Sequence, residues 1–344
     1  MPTGRERDDH MNSYQNSNAG AGVGLDRVLV LEVARATEAA AMAAARFTGR
    51  GNEQAADKAA GEAMRLALGR IPIRGRVVIG EGEAGDRAML CVGDEVGTGE
   101  GPQVDIAVDP LEGTTICAKA MPNALSVLAI AERGGLLRVP DMYMDKIAVG
   151  PGYADGVVDL DRRPADNLAA LAAAKRVPIG QITACILDRP RNGDLIKAVR
   201  EAGAAIRLIP DGDIAGVIWT TQSRETGIDI YMGAGGAPEG VLAAAALRCT
   251  GGQMQGRLLP LNSNDRQQAH AMGITDVKRK LGLADMVNTD VIFAATGVTD
   301  GALLSGVQFR AGGAVTDTLV MRSQSGTVRR IRTSVRGVED HFSV

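Results

Sequence analysis

Val104-Asp105-Ile106-Ala107-Val108-Asp109-Pro110-Leu111-Glu112-Gly113-Thr114-Thr115 decides how this chain is read. An apolar run suited to a buried strand breaks off in Asp-Pro-Leu-Glu-Gly-Thr. Proline fixes φ and lacks a donor, and glycine favours a turn, so Pro110 and Gly113 are expected to stop the strand. They hold two carboxylates three residues apart, with a hydroxyl beside them. A carboxylate pair on a turn suits a hard cation such as Mg²⁺, which takes oxygen ligands and brings substrate phosphates with it. A surface turn with solvated acids is the plain alternative.

Outward from this stretch, the N-terminal side predicts helices over 25–47 and 53–68, separated by Gly49-Arg50-Gly51. A strand over 76–79 runs into Gly80-Glu81-Gly82-Glu83, a β-turn-β region spans 86–98, and a further strand covers 125–130. Two helices followed by strands give an α+β first half. Past residue 180 the rhythm becomes α/β. Strands over 182–187, 205–209 and 228–232 alternate with helices over 194–201 and 238–249, and two strand ends carry Pro210-Asp211-Gly212-Asp213 and Gly235-Gly236-Ala237-Pro238-Glu239. Strands are also expected over 290–296 and 316–332. The expected division is an N-terminal arm (1–24), an α+β half (25–178), an α/β half (179–334) and a tail (335–344).

Composition narrows the function classes. Thirty-eight basic and 41 acidic residues give a net charge of −3 with no basic block, so nucleic acid is not an expected partner. Aromatic residues are 3% of the chain, too few for a base-stacking platform. Cys91, Cys117, Cys185 and Cys249 are widely spaced within or beside apolar segments, the pattern of reduced, packed thiols in a cytosolic protein. His10, His270 and His341 are too scattered for a histidine-built metal site. No signal-peptide h-region opens the chain, and residues 1–24 read as a polar disordered arm or leader. The longest apolar stretch, Ala39 to Ala45, is too short for a bilayer, so no membrane role is expected.

The acids themselves form a pattern. Asp57 interrupts an alanine-rich helix face, Glu81 closes a strand between two glycines, Asp109 and Glu112 close another, and Glu239 opens a helix behind Pro238. Glu239 alone is equally a helix-capping acid. Acids at strand ends can converge on one cleft, and uncompensated carboxylates do not do so without a cation.

These residues resemble the signature of the lithium-sensitive, metal-dependent sugar and inositol phosphatases, and more narrowly class II fructose-1,6-bisphosphatase. The matching segments run in the family's order over residues 25–332. They include Gly49 through Asp57, Val78-Ile-Gly-Glu-Gly-Glu83, Asp105 through Thr114, Asn123-Ala-Leu-Ser-Val-Leu128, Pro140 through Pro151, Asp188-Arg-Pro-Arg191, Pro210-Asp-Gly-Asp213, Gly235 through Gly240, Ala295 through Thr299 and Arg322 through Thr327. The resemblance implies a layered αβαβα fold. It implies Mg²⁺ or Mn²⁺ on Asp57, Glu81, Asp109, Glu112 and Glu239, with Glu81, Asp109 and Thr114 in catalysis. It implies substrate contacts from Glu112, Gly113, Thr114, Tyr143, Arg189, Pro190, Arg191, Asp211, Gly212, Asp213 and Gly236. The implied reaction is hydrolysis of the 1-phosphate of fructose 1,6-bisphosphate, for gluconeogenesis or a related sugar-phosphate cycle, by a cytoplasmic homodimer or homotetramer. Sedoheptulose 1,7-bisphosphate is the neighbouring substrate, and a non-catalytic sugar-phosphate-binding paralogue is the alternative of another class.

Two positions depart from the family pattern. Glu53 stands where the family has a lysine, four residues before Asp57, and Gly85 stands where it has an acid, with Asp86 and an added Arg87 after it. Like charges at i,i+4 repel by a few tenths of a kcal/mol in water. A charge-swapped Glu53–Arg87 pair is one expectation; Asp86 replacing the missing acid is the other.

Overall fold

The structure is a computed structural model and describes residues 25–82 and 88–337. The chain opens with α1 (Leu29–Ala45) and α2 (Glu53–Leu68), the latter started by Asn52, whose side-chain oxygen accepts from the Ala55 amide at 3.0 Å. Next come β1 (Arg74–Ile79), β2 (Glu95–Val96), β3 (Gln103–Glu112), α3 (Thr114–Ala118), β4 (Leu125–Glu132) and β5 (Tyr143–Val149). The alternating segment follows: α4 (Pro164–Lys175), β6 (Thr183–Leu187), α5 (Gly193–Glu201), β7 (Ala205–Ile209), α6 (Asp213–Trp219), α7 (Ser223–Thr226), β8 (Ile230–Gly236) and α8 (Ala237–Thr250). The chain closes with β9 (Gln253–Leu259), α9 (Ser263–Ala271), β10 (Leu281–Gly282), α10 (Leu283–Met286), β11 (Val291–Gly297), β12 (Gln308–Arg310), β13 (Gly313–Arg322) and β14 (Thr327–Arg336).

The strands form two mixed sheets. The first runs β12-β13-β11-β4-β3-β1-β2, with β14 on the far side of β13; the second runs β10-β9-β5-β8-β6-β7. Strand periodicity sorts their residues into layers. Val104, Ile106 and Val108 of β3 pack with α1 and α2, whereas Ala107 joins Val127 and Ala129 in a core shared with α6 and α8. In β5 the same rule sends Met144 and Ala148 to that central core, and Ile147 and Val149 outward to α4 and α5. The order is therefore αβαβα: helices, sheet, helices, sheet, helices. The central helix α8 is apolar on every side and alanine-rich, with Ala243 to Ala246 all buried, because sheets flank it on both faces.

Pro110 does not stop β3 after Val108; Gly113 does end it, one residue past Glu112. The strand continues to Glu112 through an irregularity in its pairing with β4. Sheet membership does not follow chain order: β5 lies in the second sheet, and β11 to β14 return to the first. The 316–332 strand is two strands, β13 and β14, joined by a 3-10 turn over Ser323–Ser325. Among the described residues no helix is long and apolar enough to cross a membrane, and no disulfide joins the four buried cysteines.

Candidate active site

In a regular strand, residues three apart face opposite sides of the sheet. Asp109 pairs with Val127 and Glu112 with Leu125, so three steps along β3 meet two along β4. One residue is extra, a β-bulge, and it turns both carboxylates to the same side while Leu111 packs on the other. Both acids are buried, and Asp109 donates a side-chain hydrogen bond to Glu112. Gly113 follows at φ +86°, in the left-handed region, and releases the chain into α3 with Thr114 as its first residue.

Parallel pairing places the next acid. Ile79 of β1 lies opposite Ala107 of β3, so Glu81 and Asp109, each two residues further on, leave neighbouring strand ends together. Glu81 donates its amide to the Leu90 carbonyl at 3.0 Å. That approach requires glycine before it, since a Cβ on Gly80 would lie 2.0 Å from the same oxygen. Asp57 reaches in from α2 and accepts a side-chain hydrogen bond from Glu81.

The second sheet contributes from the carboxyl ends of its parallel strands β6, β7 and β8, where ligands bind in open α/β sheets. After β6 come Arg189, Pro190 and Arg191. Arg191 donates Nε to the Ala234 carbonyl at 2.9 Å and stacks its guanidinium 4.3 Å from the centroid of the Tyr143 ring. Asn192 closes this turn onto β8, accepting from the Ala234 amide at 2.9 Å. After β7, Gly212 adopts φ +81°, Asp211 sits 3.9 Å from Arg189, and Asp213 turns inward to a buried ion pair with Lys146. After β8, Gly236 precedes α8 and Glu239 stands in its first turn. Ile214 donates its amide to Glu112 at 3.0 Å, which ties the two sheets together at the cleft.

The structure thus gathers Asp57, Glu81, Asp109, Glu112 and Glu239, with Glu239 within electrostatic reach of Glu81, Asp109 and Glu112. Burial raises every one of them, and their mutual repulsion adds to it for Glu81, Asp109 and Glu112. Burial, then the Asp213 charge, brings Glu112 to about 8. Burial and the same neighbour bring Glu239 to about 7, against a lowering pull from Lys146. One oxygen each of Asp57, Asp109 and Glu239 is buried without a hydrogen-bond partner. A cavity of about 330 Å³ opens onto Glu81, Asp109 and Glu239 between walls that include Val92, Val139, Leu242 and Met272. Among the described residues no three acids already share one coordination point. Buried, unpartnered carboxylate oxygens of like charge nevertheless match what oxygen-seeking divalent cations require.

Residues 27–335 match the family described as bacterial fructose-1,6-bisphosphatase, glpX-encoded. The chain belongs to this family. It is 44% identical over 334 residues, 90% of this chain and 96% of the other, to the D-fructose 1,6-bisphosphatase class 2/sedoheptulose 1,7-bisphosphatase of Synechococcus sp. (strain JA-3-3Ab). It is also 44% identical over 321 residues, 89% of this chain and 95% of the other, to fructose-1,6-bisphosphatase 1 class 2 of Escherichia coli (strain K12). Membership in this metal-dependent class II fructose-1,6-bisphosphatase family makes the protein a phosphoric monoester hydrolase.

Within that family frame, several sequence expectations acquire detail. Asp213 is buried and held by Lys146, whereas Asp211 of the same turn is half-buried and faces Arg189 at 3.9 Å. Glu53 is exposed at the start of α2. Its charge acts on Asp211, while Asp57 responds to burial and to Glu81. The expected partners Gly85, Asp86 and Arg87 lie outside the described residues, as does the Glu53–Arg87 pairing. Sequence reasoning missed Lys146, which occupies a strand between polar and apolar neighbours with no signal for the face it takes, and Asn192, which braces Arg191.

Proposed function

We propose that the protein hydrolyses the 1-phosphate of fructose 1,6-bisphosphate to fructose 6-phosphate and inorganic phosphate. Mg²⁺ or Mn²⁺ would be held by Asp57, Glu81, Asp109, Glu112 and Glu239. The observation that carries this reading is the convergence of five acids, two buried and three half-buried, three of them with a buried unpartnered oxygen, beside the Arg189 to Arg191 turn. When bound, the cations neutralise phosphate oxygens and acidify a water molecule. The residues do the rest. The Thr114 hydroxyl, at the start of α3, would orient the attacking water in line with phosphorus; as its oxygen bonds to phosphorus the bond to the C1 oxygen breaks, the water gives up a proton, and the C1 oxygen takes one up to leave as the alcohol of fructose 6-phosphate. Arg191, its Nε already engaged by Ala234, turns its terminal N–H groups to the phosphate that is not cleaved. Tyr143, beneath that guanidinium, and Asp211 accept or donate to sugar hydroxyls. Glu112 and the Gly113 and Gly236 backbones border the scissile phosphate.

Sedoheptulose 1,7-bisphosphate is the second reading, supported by the Synechococcus relative whose name carries both activities. The expected setting is gluconeogenesis or a related sugar-phosphate cycle in the cytoplasm, by a homodimer or homotetramer. Phosphate release by the purified protein with Mn²⁺ or Mg²⁺, across both bisphosphates and the corresponding monophosphates, tests the proposal. Release from fructose 1,6-bisphosphate supports it. Saturable sugar-phosphate binding without release points instead to a sensor.

A further inference from the structure

Lys146 is a large, 1% exposed cation inside a cluster of acids. It occupies the central-core face of β5, in line with Met144 and Ala148, and reaches out of the sheet toward the strand ends. Its ammonium has partners on two different turns. One is the Asp213 carboxylate at the end of β7; the other is the Gly236 carbonyl before α8, accepting at 2.8 Å. The local sequence makes room for this arrangement. A Cβ on Gly235 would lie 1.8 Å from an Asp213 oxygen and 3.0 Å from Lys146 Nζ. Asp213 is 5% exposed and acts electrostatically on both Glu112 and Glu239.

We propose that Lys146 is a positioning residue: the fixed internal cation of the acidic cleft, which neutralises Asp213 and so keeps it out of the ion-binding set. In doing so it clamps the turn bearing Asp211 to the turn leading to Glu239. This rests on the ion-binding reading above. Removing an uncompensated charge from one partner of a buried pair leaves the other exposed to its neighbours. The sign of that remaining charge gives the inference its signature. Lys146→Met leaves an extra negative charge beside Glu112 and Glu239, and Asp213→Asn leaves an extra positive one.

Binding of Mn²⁺ alone to the full chain, followed by electron paramagnetic resonance at fixed pH, separates charge from packing. Lys146→Met is expected to bind Mn²⁺ more tightly by at least about threefold, and Asp213→Asn more weakly by a similar factor, as Coulomb's law requires for opposite charges at close range. The double variant Lys146→Met/Asp213→Asn returns toward the wild-type affinity. All three lower kcat, because the clamp between the turns is lost. Weaker Mn²⁺ binding in both single variants would mark a purely structural pair and overturn the proposal. Should Lys146→Met not fold, the comparison of Asp213→Asn with the double variant decides: tighter binding by the double variant supports the proposal, and equal or weaker binding overturns it. Failure of the wild-type chain to bind Mn²⁺ would overturn the ion-binding reading itself, and this inference with it.

Discussion

A side-chain carbon on Gly236 would lie 1.7 Å from Oε2 of Glu239. The backbone there has φ −66°, so alanine is conformationally acceptable, and the three atoms nearest the added carbon all belong to that carboxylate. Gly236→Ala is therefore expected to displace Glu239 while leaving the fold in place. Activity should fall on the order of a hundredfold, the scale of a misplacement near 1 Å, while the thermal midpoint shifts by no more than about 3 °C. Parallel steady-state kinetics and thermal melts check this; wild-type activity would remove the packing relationship as a determinant.

The acid cluster predicts a pH-dependent stability for the cation-free protein. Its carboxyls are raised in the folded state, Glu112 to about 8 and Glu239 to about 7, above the ordinary value of 4.5. The folded chain then holds more protons than the unfolded one, so stability is greatest below about pH 4.5 for these groups and declines as pH rises toward 8. Divalent cations should raise the melting temperature more at pH 8 than at pH 6. Melts in chelator and in Mn²⁺ across pH 5–8 measure it, and a cation effect that shrinks with pH would contradict the sign.

Arg191 stacks on Tyr143 and spends Nε on Ala234. Lysine carries the same charge but neither the planar fork nor the stacking surface. Arg191→Lys should raise KM for the bisphosphate about tenfold with a smaller change in kcat, as befits binding to a phosphate that does not react. Equal loss in kcat would instead place Arg191 at the scissile bond.

Gly80 is a stability position beside the chemistry. A Cβ would meet the Leu90 carbonyl oxygen at 2.0 Å, and backbone cannot swing aside. Gly80→Ala should lose about 1–3 kcal/mol in denaturant unfolding, the range for overpacking with backbone displacement. Gly193→Ala is the control. It has φ −56° and open space around the position, so it should be neutral or slightly stabilising.

Much of this architecture could be seen in the chain before its coordinates. Helix α2 covers the 53–68 span read from the sequence, and the turns after β6, β7 and β8 fall where glycine, proline and aspartate cluster. The fate of Pro110 could not be seen, because a strand that ends and a strand that bulges share the same local chemistry; the difference lies in β4, opposite it. The return of β11 to β14 to the first sheet was equally hidden, since pairing partners some 160 residues apart leave no local mark. Glu81, Asp109, Glu112 and Glu239 stand beside glycine or proline at element ends, Asp57 interrupts an alanine-rich helix face, and the family resemblance is what joins the five into one set. Lys146 was not visible, because its counter-charge, Asp213, is 67 positions away.

The buried run Ala243 to Ala246 has a consequence for where harmful substitutions will arise. Methyl groups set the gap between the two sheets, and the helix that fills this gap also carries Glu239 at its tip. Swelling any of those alanines would wedge the sheets apart and tilt that tip. A change hidden in the molecule's apolar middle, touching no ligand, would then present itself as an active-site lesion.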